Sequence, residues 1–197
     1  MKIVLDIGCG LAKIKPKKGE KVIGIDFVKR KNVDVVHDLE KLLPFPDNYA
    51  DSIYSNHTFE HVSNAKQLVE ECWRVTKPQG EIMIKVPHYS YTGMYTDLTH
   101  KTFFSSRSLD YYIEKESLAR MSGYDPKIRF KMLKKRIFFD LPYRPLELIV
   151  NINSTTQKIY EWFFCWMFPS REILFIVTPI KKAGYVHLLN VAGKRKK

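Results

Sequence analysis

Two glycines directly after the first apolar run constrain this chain more than any other feature. Residues 3–5 read as a buried strand, and Asp6-Ile7-Gly8-Cys9-Gly10 follows at once. Glycines at such a point let the backbone turn sharply and approach a ligand with no Cβ in the way. A dinucleotide fingerprint needs a further glycine at position 13, where this chain has Lys13. No Gly-Lys-Ser or Gly-Lys-Thr follows either, so a triphosphate-binding loop is not expected.

The rest of the first half has the same grain. Residues 22–25, 33–36 and 52–54 read as further strands, the last introduced by the turn signal Pro46-Asp47-Asn48. Asn64 has the character of a helix N-cap. Ala65, Leu68, Val69, Cys72 and Val75 then recur at helical spacing and give one apolar face. Lys77-Pro78-Gln79-Gly80 ends the helix, proline stopping it and glycine turning the chain. Residues 81–86 form a fifth strand. Strands alternating with helices or short connections predict a mostly parallel, doubly wound sheet, which binds ligands at the carboxyl ends of its strands.

Each polar signature falls just after one of these strands. Asp26 closes Gly24-Ile25-Asp26, where a carboxylate can accept both hydroxyls of a ribose. Asp38 in Val36-His37-Asp38-Leu39 can accept from an adenine amino group while Leu39 packs on the ring. Ser55-Asn56-His57 ends the fourth strand, close to the reactive end of such a ligand.

The stretch from Leu5 to Pro87 resembles the core of the class I S-adenosylmethionine-dependent methyltransferases of the type 11 kind. LDIGCG and VIGID are similar to their first and second motifs. VVHDLEKLLPFPDNYADSIYSNHTFEHV resembles the adenine-contacting and fourth motifs, and LVEECWRVTKPQGEIMIKVP their helix-then-strand motif. The resemblance implies an α/β fold: a Rossmann-like doubly wound sheet of about seven strands, mostly parallel with an antiparallel last strand. It implies S-adenosylmethionine as cofactor. Asp6, Gly8 and Gly10 would frame the methionine end, Asp26 the ribose, Asp38 and Leu39 the adenine, and Asn56 the loop beside the sulfonium, with Phe27 and His57 as further cofactor-binding residues. Two departures stand out. Ala12 replaces a third glycine, and the helix that should follow is reduced to the Lys- and Pro-containing stretch 13–21. Only two residues precede the first strand, so the lid is expected from residues 87–104 and from an aromatic insertion at 141–170.

Composition narrows the setting. A chain of 197 residues fits a single domain, here one methyltransferase domain over residues 1–197 with a basic tail at 193–197. Cys9, Cys72 and Cys165 lie far apart, which argues against a disulfide framework and suits a cytoplasmic location. MKIVLDIGCG carries an acid and glycines where a signal peptide needs an apolar run. The net charge of +12 predicts attraction to an anionic partner, which can be nucleic acid, a phosphate-bearing substrate or an acidic membrane surface.

Methyl transfer requires the acceptor atom to be held in line, and an amine or hydroxyl can need a base as well. His88 follows the fifth strand, and Asp97 and His100 sit in Asp97-Leu98-Thr99-His100. That segment resembles a loop in a subgroup of the same methyltransferases acting on saccharide or lipid-linked intermediates. His88, Asp97 and His100 are therefore the catalytic candidates. The acceptor is expected to be a small or carrier-linked molecule modified at oxygen or nitrogen. RNA is the rival acceptor, and a non-catalytic cofactor-binding protein the rival class. His57-Thr58-Phe59-Glu60-His61 has the spacing of an inverted zinc-protease motif, but its place after a fourth strand fits the methyltransferase pattern better, so no metal is expected. The dense aromatics of 141–170 predict a wall and lid for the acceptor, anchored by Trp162 and Trp166. A peripheral membrane contact is the alternative reading.

Overall fold

The computed structural model describes residues 1–113 and 128–181 of the chain, so the 193–197 tail lies outside the described residues. Seven strands form one sheet in the order β3-β2-β1-β4-β5-β7-β6. They are β1 (Lys2–Ile7), β2 (Glu20–Asp26), β3 (Val35–Val36), β4 (Ala50–Asn56), β5 (Thr76–Pro87), β6 (Arg129–Phe138) and β7 (Glu172–Ile180). Neighbours from β3 through β5 pair in parallel, while β7 runs antiparallel to both β5 and β6. The fold is thus the expected α/β doubly wound sheet, and among the described residues the reversed strand is the last, β7. Strand order changes direction between β1 and β4, which places the ligand crevice of such sheets at the carboxyl ends of those two strands.

The strands form where the sequence concentrates β-branched and aliphatic residues. Leu5, Ile7, Ile25, Ile53, Ile82 and Ile173 are essentially inaccessible and build the main core. Helix α1 (Ala65–Val75) packs on it through Leu68, Val69, Cys72, Trp73 and Val75. Burial of such side chains stabilises by about 1.5–3 kcal/mol each. Its start is as expected: the Asn64 side chain accepts from the Gln67 N–H at 3.2 Å. Its end differs in detail. The helix stops at Val75, where the Thr76 hydroxyl donates to the Cys72 carbonyl at 2.7 Å. The left-handed residue of the following turn is Gln79 (φ 64°), not the glycine. Gly80 serves close approach instead: a Cβ there would lie 2.8 Å from the Asp51 carbonyl oxygen.

Residues 11–19 contain no helix. This stretch closes onto β2 through Lys13, whose ammonium pairs with Asp34 at 2.6 Å, while Asp34 also accepts from the Gly24 N–H at 2.7 Å. A Cβ on Gly24 would fall 2.6 Å from the Lys13 side chain, so that glycine makes room for the crossing.

The connection between β6 and β7 sits at the carboxyl edge, because Phe138 and Pro87 both register with Glu172. It carries α3 (Glu147–Val150) and α4 (Ser154–Phe163), with Asn153 capping α4 through its carboxamide. Ile137, Phe139, Val150, Tyr160 and Cys165 give this insertion a small core of its own. A further short helix, α2 (Gly93–Thr96), interrupts the 87–104 loop. All three cysteines are buried free thiols.

Candidate functional site

The glycine loop and the acid after β2 are wired together. Gly8 and Cys9 donate their N–H groups to the Ile25 carbonyl at 2.8 and 3.1 Å. The Gly10 N–H donates to Asp26 Oδ2 at 2.9 Å, and the Val28 N–H to Asp26 Oδ1 at 2.9 Å. Arg30 approaches Oδ1 at 3.5 Å. Gly8 and Gly10 both adopt positive φ, 70° and 52°. A side chain on Gly8 would collide with Thr58, whereas one on Gly10 would meet nothing nearer than 4.0 Å, so the space beside Gly10 is open.

Asp6 is buried and accepts from the Ile14 N–H at 2.7 Å, tying the helix-free 11–19 stretch down. Burial raises its carboxyl above the usual range, against the pull of that N–H and of Lys13. Burial, with the charges of Asp6 and Asp26, pushes the Cys9 thiol to about 11.

Three apolar side chains stand out at the ends of β1, β2 and β3. Leu11 is 83% exposed, Phe27 75% and Val36 52%, whereas Asp26 is buried. Asp38 is exposed and holds its own turn by accepting from the Glu40 N–H at 3.0 Å, while Leu39 packs on the main core. Glu40 then accepts from the N–H groups of Ser63 and Asn64, which draw its carboxyl down to about 2. It links the Asp38 loop to the start of α1.

A ring of loops thus faces an open edge: apolar surface for a flat ring, a buried carboxylate for hydroxyls, and glycine backbone for a polar chain. A carboxylate has about four lone-pair sites, so Asp26 keeps capacity beyond its Gly10, Val28 and Arg30 contacts. Adenosine-type ligands with a polar tail fit this donor and acceptor set.

Asn56 ends β4 and is half-buried. His57 takes φ 51°, and its ring is engaged away from the glycine loop: Nδ1 with Glu60 at 3.2 Å and Nε2 with Glu172 at 2.9 Å. These two bonds raise His57 to about 9, against burial. Burial alone would raise Glu172, but His57 and Lys85 outweigh it and hold that carboxyl at about 2. His57 and His61 do not share a helix face, because residues 59–61 form only a 3-10 turn after the left-handed His57. The inverted-zincin arrangement is therefore not formed.

The structure separates the three catalytic candidates. His88 is not open to the edge. It is fully buried beneath α4, with Nδ1 at 2.8 Å from the Ser90 hydroxyl and Nε2 at 3.2 Å from Glu161. Asp97 and His100 lie together on the loop carrying α2. Asp97 accepts from the Thr99 N–H and hydroxyl at 2.8 and 2.7 Å, and its other oxygen stands 3.8 Å from His100 Nε2. Beside this loop an open cavity of about 480 Å³ is lined by Tyr89, Tyr95, Phe103, Phe104, Ser105 and Ser108.

The insertion docks at this edge, but not through the expected anchors. Trp162 and Trp166 are 64% and 68% exposed. The anchors are Tyr160, Cys165 and Glu161, whose carboxylate also accepts from the Ser106 N–H at 2.5 Å. Sequence reasoning missed Thr58, Glu40, Glu161 and Glu172. Glu161 had a signal, since a lone acid inside an aromatic run is tolerable only if something buried pairs with it.

Residues 5–84 match the family model described as "Methyltransferase domain". A protein of Mycolicibacterium smegmatis described as a "Probable S-adenosylmethionine-dependent methyltransferase" is 30% identical over 97 residues, which span 43% of this chain and 38% of that protein. Among solved structures, the chain is similar to a Bacillus halodurans protein crystallised as a candidate methyltransferase, at TM-score 0.55 and 16% identity over 90% of this chain and 92% of that one. It is also similar to a structure of the Haloferax volcanii methyltransferase activator Trm112 in complex with its candidate methyltransferase, at TM-score 0.53 and 15% identity, covering 91% of this chain and 83% of that one. At these identities the structural likeness shows the fold.

Proposed function

We propose that residues 5–84, which match a methyltransferase-domain model, are the cofactor-binding core of a class I, S-adenosylmethionine-dependent methyltransferase, and that the chain methylates a lipid-linked or other carrier-linked acceptor at oxygen or nitrogen. When bound, S-adenosylmethionine supplies a methyl group on a sulfonium, activated for in-line displacement. The observation that carries the cofactor assignment is the buried Asp26 carboxylate at the end of β2, held by the Gly10 N–H of the glycine loop and followed by the exposed Phe27. Asp26 takes the ribose hydroxyls, and Phe27 and Leu39 flank the adenine with Asp38 at its amino group. Gly8 and Gly10 give the methionine end room, beside Asp6 and Asn56.

His57 acts as a positioning residue in this reading, since its ring ties the end of β4 to β7 through Glu172. His88 likewise positions, holding α4 against the end of β5 through Glu161. Asp97 and His100 remain as the acceptor-side pair.

The carrier-linked reading comes from the surface of the insertion. Leu148, Ile149, Ile152, Trp162, Phe163 and Trp166 are all exposed by more than 60%. Both carboxylates of residues 141–170, Glu147 and Glu161, are turned inward and buried. The outer face is therefore apolar with no exposed acid, on a chain of net charge +12. Exposed apolar patches of this kind mark contact sites, and aromatic residues on a basic protein suit the interface of an anionic bilayer. No helix among the described residues is long and apolar enough to cross a membrane. Incubating the protein with labelled cofactor and separate lipid, saccharide and RNA fractions tests the reading. Label in the lipid or saccharide fraction supports it, and label in RNA alone overturns the acceptor class.

A further inference from the structure

We propose that Glu60, His61 and His100 form a binding site for a divalent transition metal of the zinc class, where the 59–61 turn meets the loop carrying α2. One ligand atom from each of the three lies within 4.8 Å of the other two. This goes beyond methyl transfer and does not depend on it.

The hydrogen bonds around the two imidazoles fix which nitrogen is free, the protons being assigned from the network. His100 Nδ1 is 2.9 Å from the Met94 carbonyl oxygen, which can only accept, so Nδ1 carries the proton. The Thr99 hydroxyl gives its single proton to Asp97 at 2.7 Å and therefore accepts from His61 Nδ1 at 2.9 Å. Both rings thus present a bare Nε2. A ring nitrogen donating to a carbonyl, or through a hydroxyl to a carboxylate, is the support that metal-binding histidines use to fix tautomer and orientation.

Glu60 supplies the charge. It is fully buried, and its Oε1 meets His57. Its Oε2 is buried with no hydrogen-bond partner among the described residues. A buried carboxylate oxygen without a donor is rare and calls for a cation or an ordered water. Two imidazole nitrogens and one carboxylate oxygen make a donor set suited to zinc, with a fourth position open. Asp97 Oδ2 stands nearby, 3.8 Å from His100 Nε2.

The backbone under the site is already assembled. The N–H groups of Lys101 and Thr102 donate to the Glu60 carbonyl at 2.7 and 3.0 Å, and the His61 and His100 rings pack edge to face at 4.7 Å. Metal–ligand bonds of about 2.0–2.1 Å require ligand atoms about 3.3 Å apart, so side chains alone must close the remaining gap. A bound ion would staple the loop that follows α2 to the turn after β4.

The test uses the full chain, stripped with chelator and titrated with zinc by calorimetry without cofactor or acceptor, and with cobalt by visible spectroscopy. A single ion per chain, a rise in melting temperature on zinc addition and a tetrahedral cobalt band are expected. His61→Ala and His100→Ala should each weaken binding at least about tenfold, the scale set by losing a ligand or its support. Circular dichroism of the zinc-free variants establishes that they fold, and Glu60→Gln, which keeps shape, serves if either alanine variant does not. No zinc binding by wild type, or binding unchanged in the His61 and His100 variants, overturns the site. Because the readouts need no methyl transfer, they stand apart from the assay of the proposed activity.

Discussion

Thr58 occupies the space that a side chain on Gly8 would need: a Cβ built on Gly8 falls 2.1 Å from the Thr58 hydroxyl oxygen. The same hydroxyl lies 3.2 Å from the Ile7 carbonyl and donates to that strand end. The glycine is thus required by a neighbouring loop as well as by its own φ of 70°. Gly8→Ala is expected to destabilise by at least about 1–2 kcal/mol from the left-handed backbone alone. Adding Thr58→Gly should recover the part due to the clash and not the part due to φ. Thermal melts of the two single variants and the double variant check this, and strictly additive effects would mean that the two residues do not compete for one space.

Asp26→Ala should weaken binding of S-adenosylmethionine and of its demethylated product. Each ribose hydrogen bond to a carboxylate contributes about 1.5–3 kcal/mol, and the Gly10 N–H loses its acceptor as well. Calorimetry checks it, and an unchanged affinity would contradict the ribose assignment.

Glu161→Ala should loosen the insertion from the sheet. It strips the acceptor from the Ser106 N–H and leaves buried His88 with one partner fewer. Unsatisfied buried groups cost about 1–3 kcal/mol, more where a charge is involved. The expected signature is faster proteolysis within residues 141–170, with the main sheet still cooperative. A global loss of stability with no local change in cleavage would argue against a separately anchored insertion.

Glu172 gives the protein an acid-sensitive joint. Its folded value near 2 lies below the ordinary 4.5, so its contribution is complete above pH 4.5 and is lost as pH falls toward 2. Wild type should therefore lose more melting temperature between pH 5 and pH 2.5 than Glu172→Gln. Parallel curves would show that the joint with His57 and Lys85 carries no net stability.

Trp162→Ser with Trp166→Ser should abolish flotation with anionic liposomes while leaving the fold intact, since both side chains are mostly exposed. Wild-type protein that fails to float would remove the membrane contact and leave the insertion as a wall of the acceptor site only.

While the count of about seven strands with a reversed last strand came from the family resemblance, the sequence alone determined five strands of the sheet and the order of their ligand loops. Those features rest on local physics: aliphatic runs, the Asn64 cap, the helical spacing of α1 and glycines where a side chain cannot go. An acid placed at the end of a buried strand lands at the carboxyl edge whatever the loops do, so the place of Asp26 at the end of β2 was legible. Only the tertiary structure decided which polar side chains meet across long separations. His57 turns to Glu172, His88 is sealed beneath Glu161, and His61 comes to face His100. The outward direction of Trp162 and Trp166 was likewise unreadable, because an aromatic run has the same composition whether it is buried or exposed. Side-chain pairing across a fold depends on loop paths and on which partner satisfies a buried charge, and neither leaves a periodic trace in the chain.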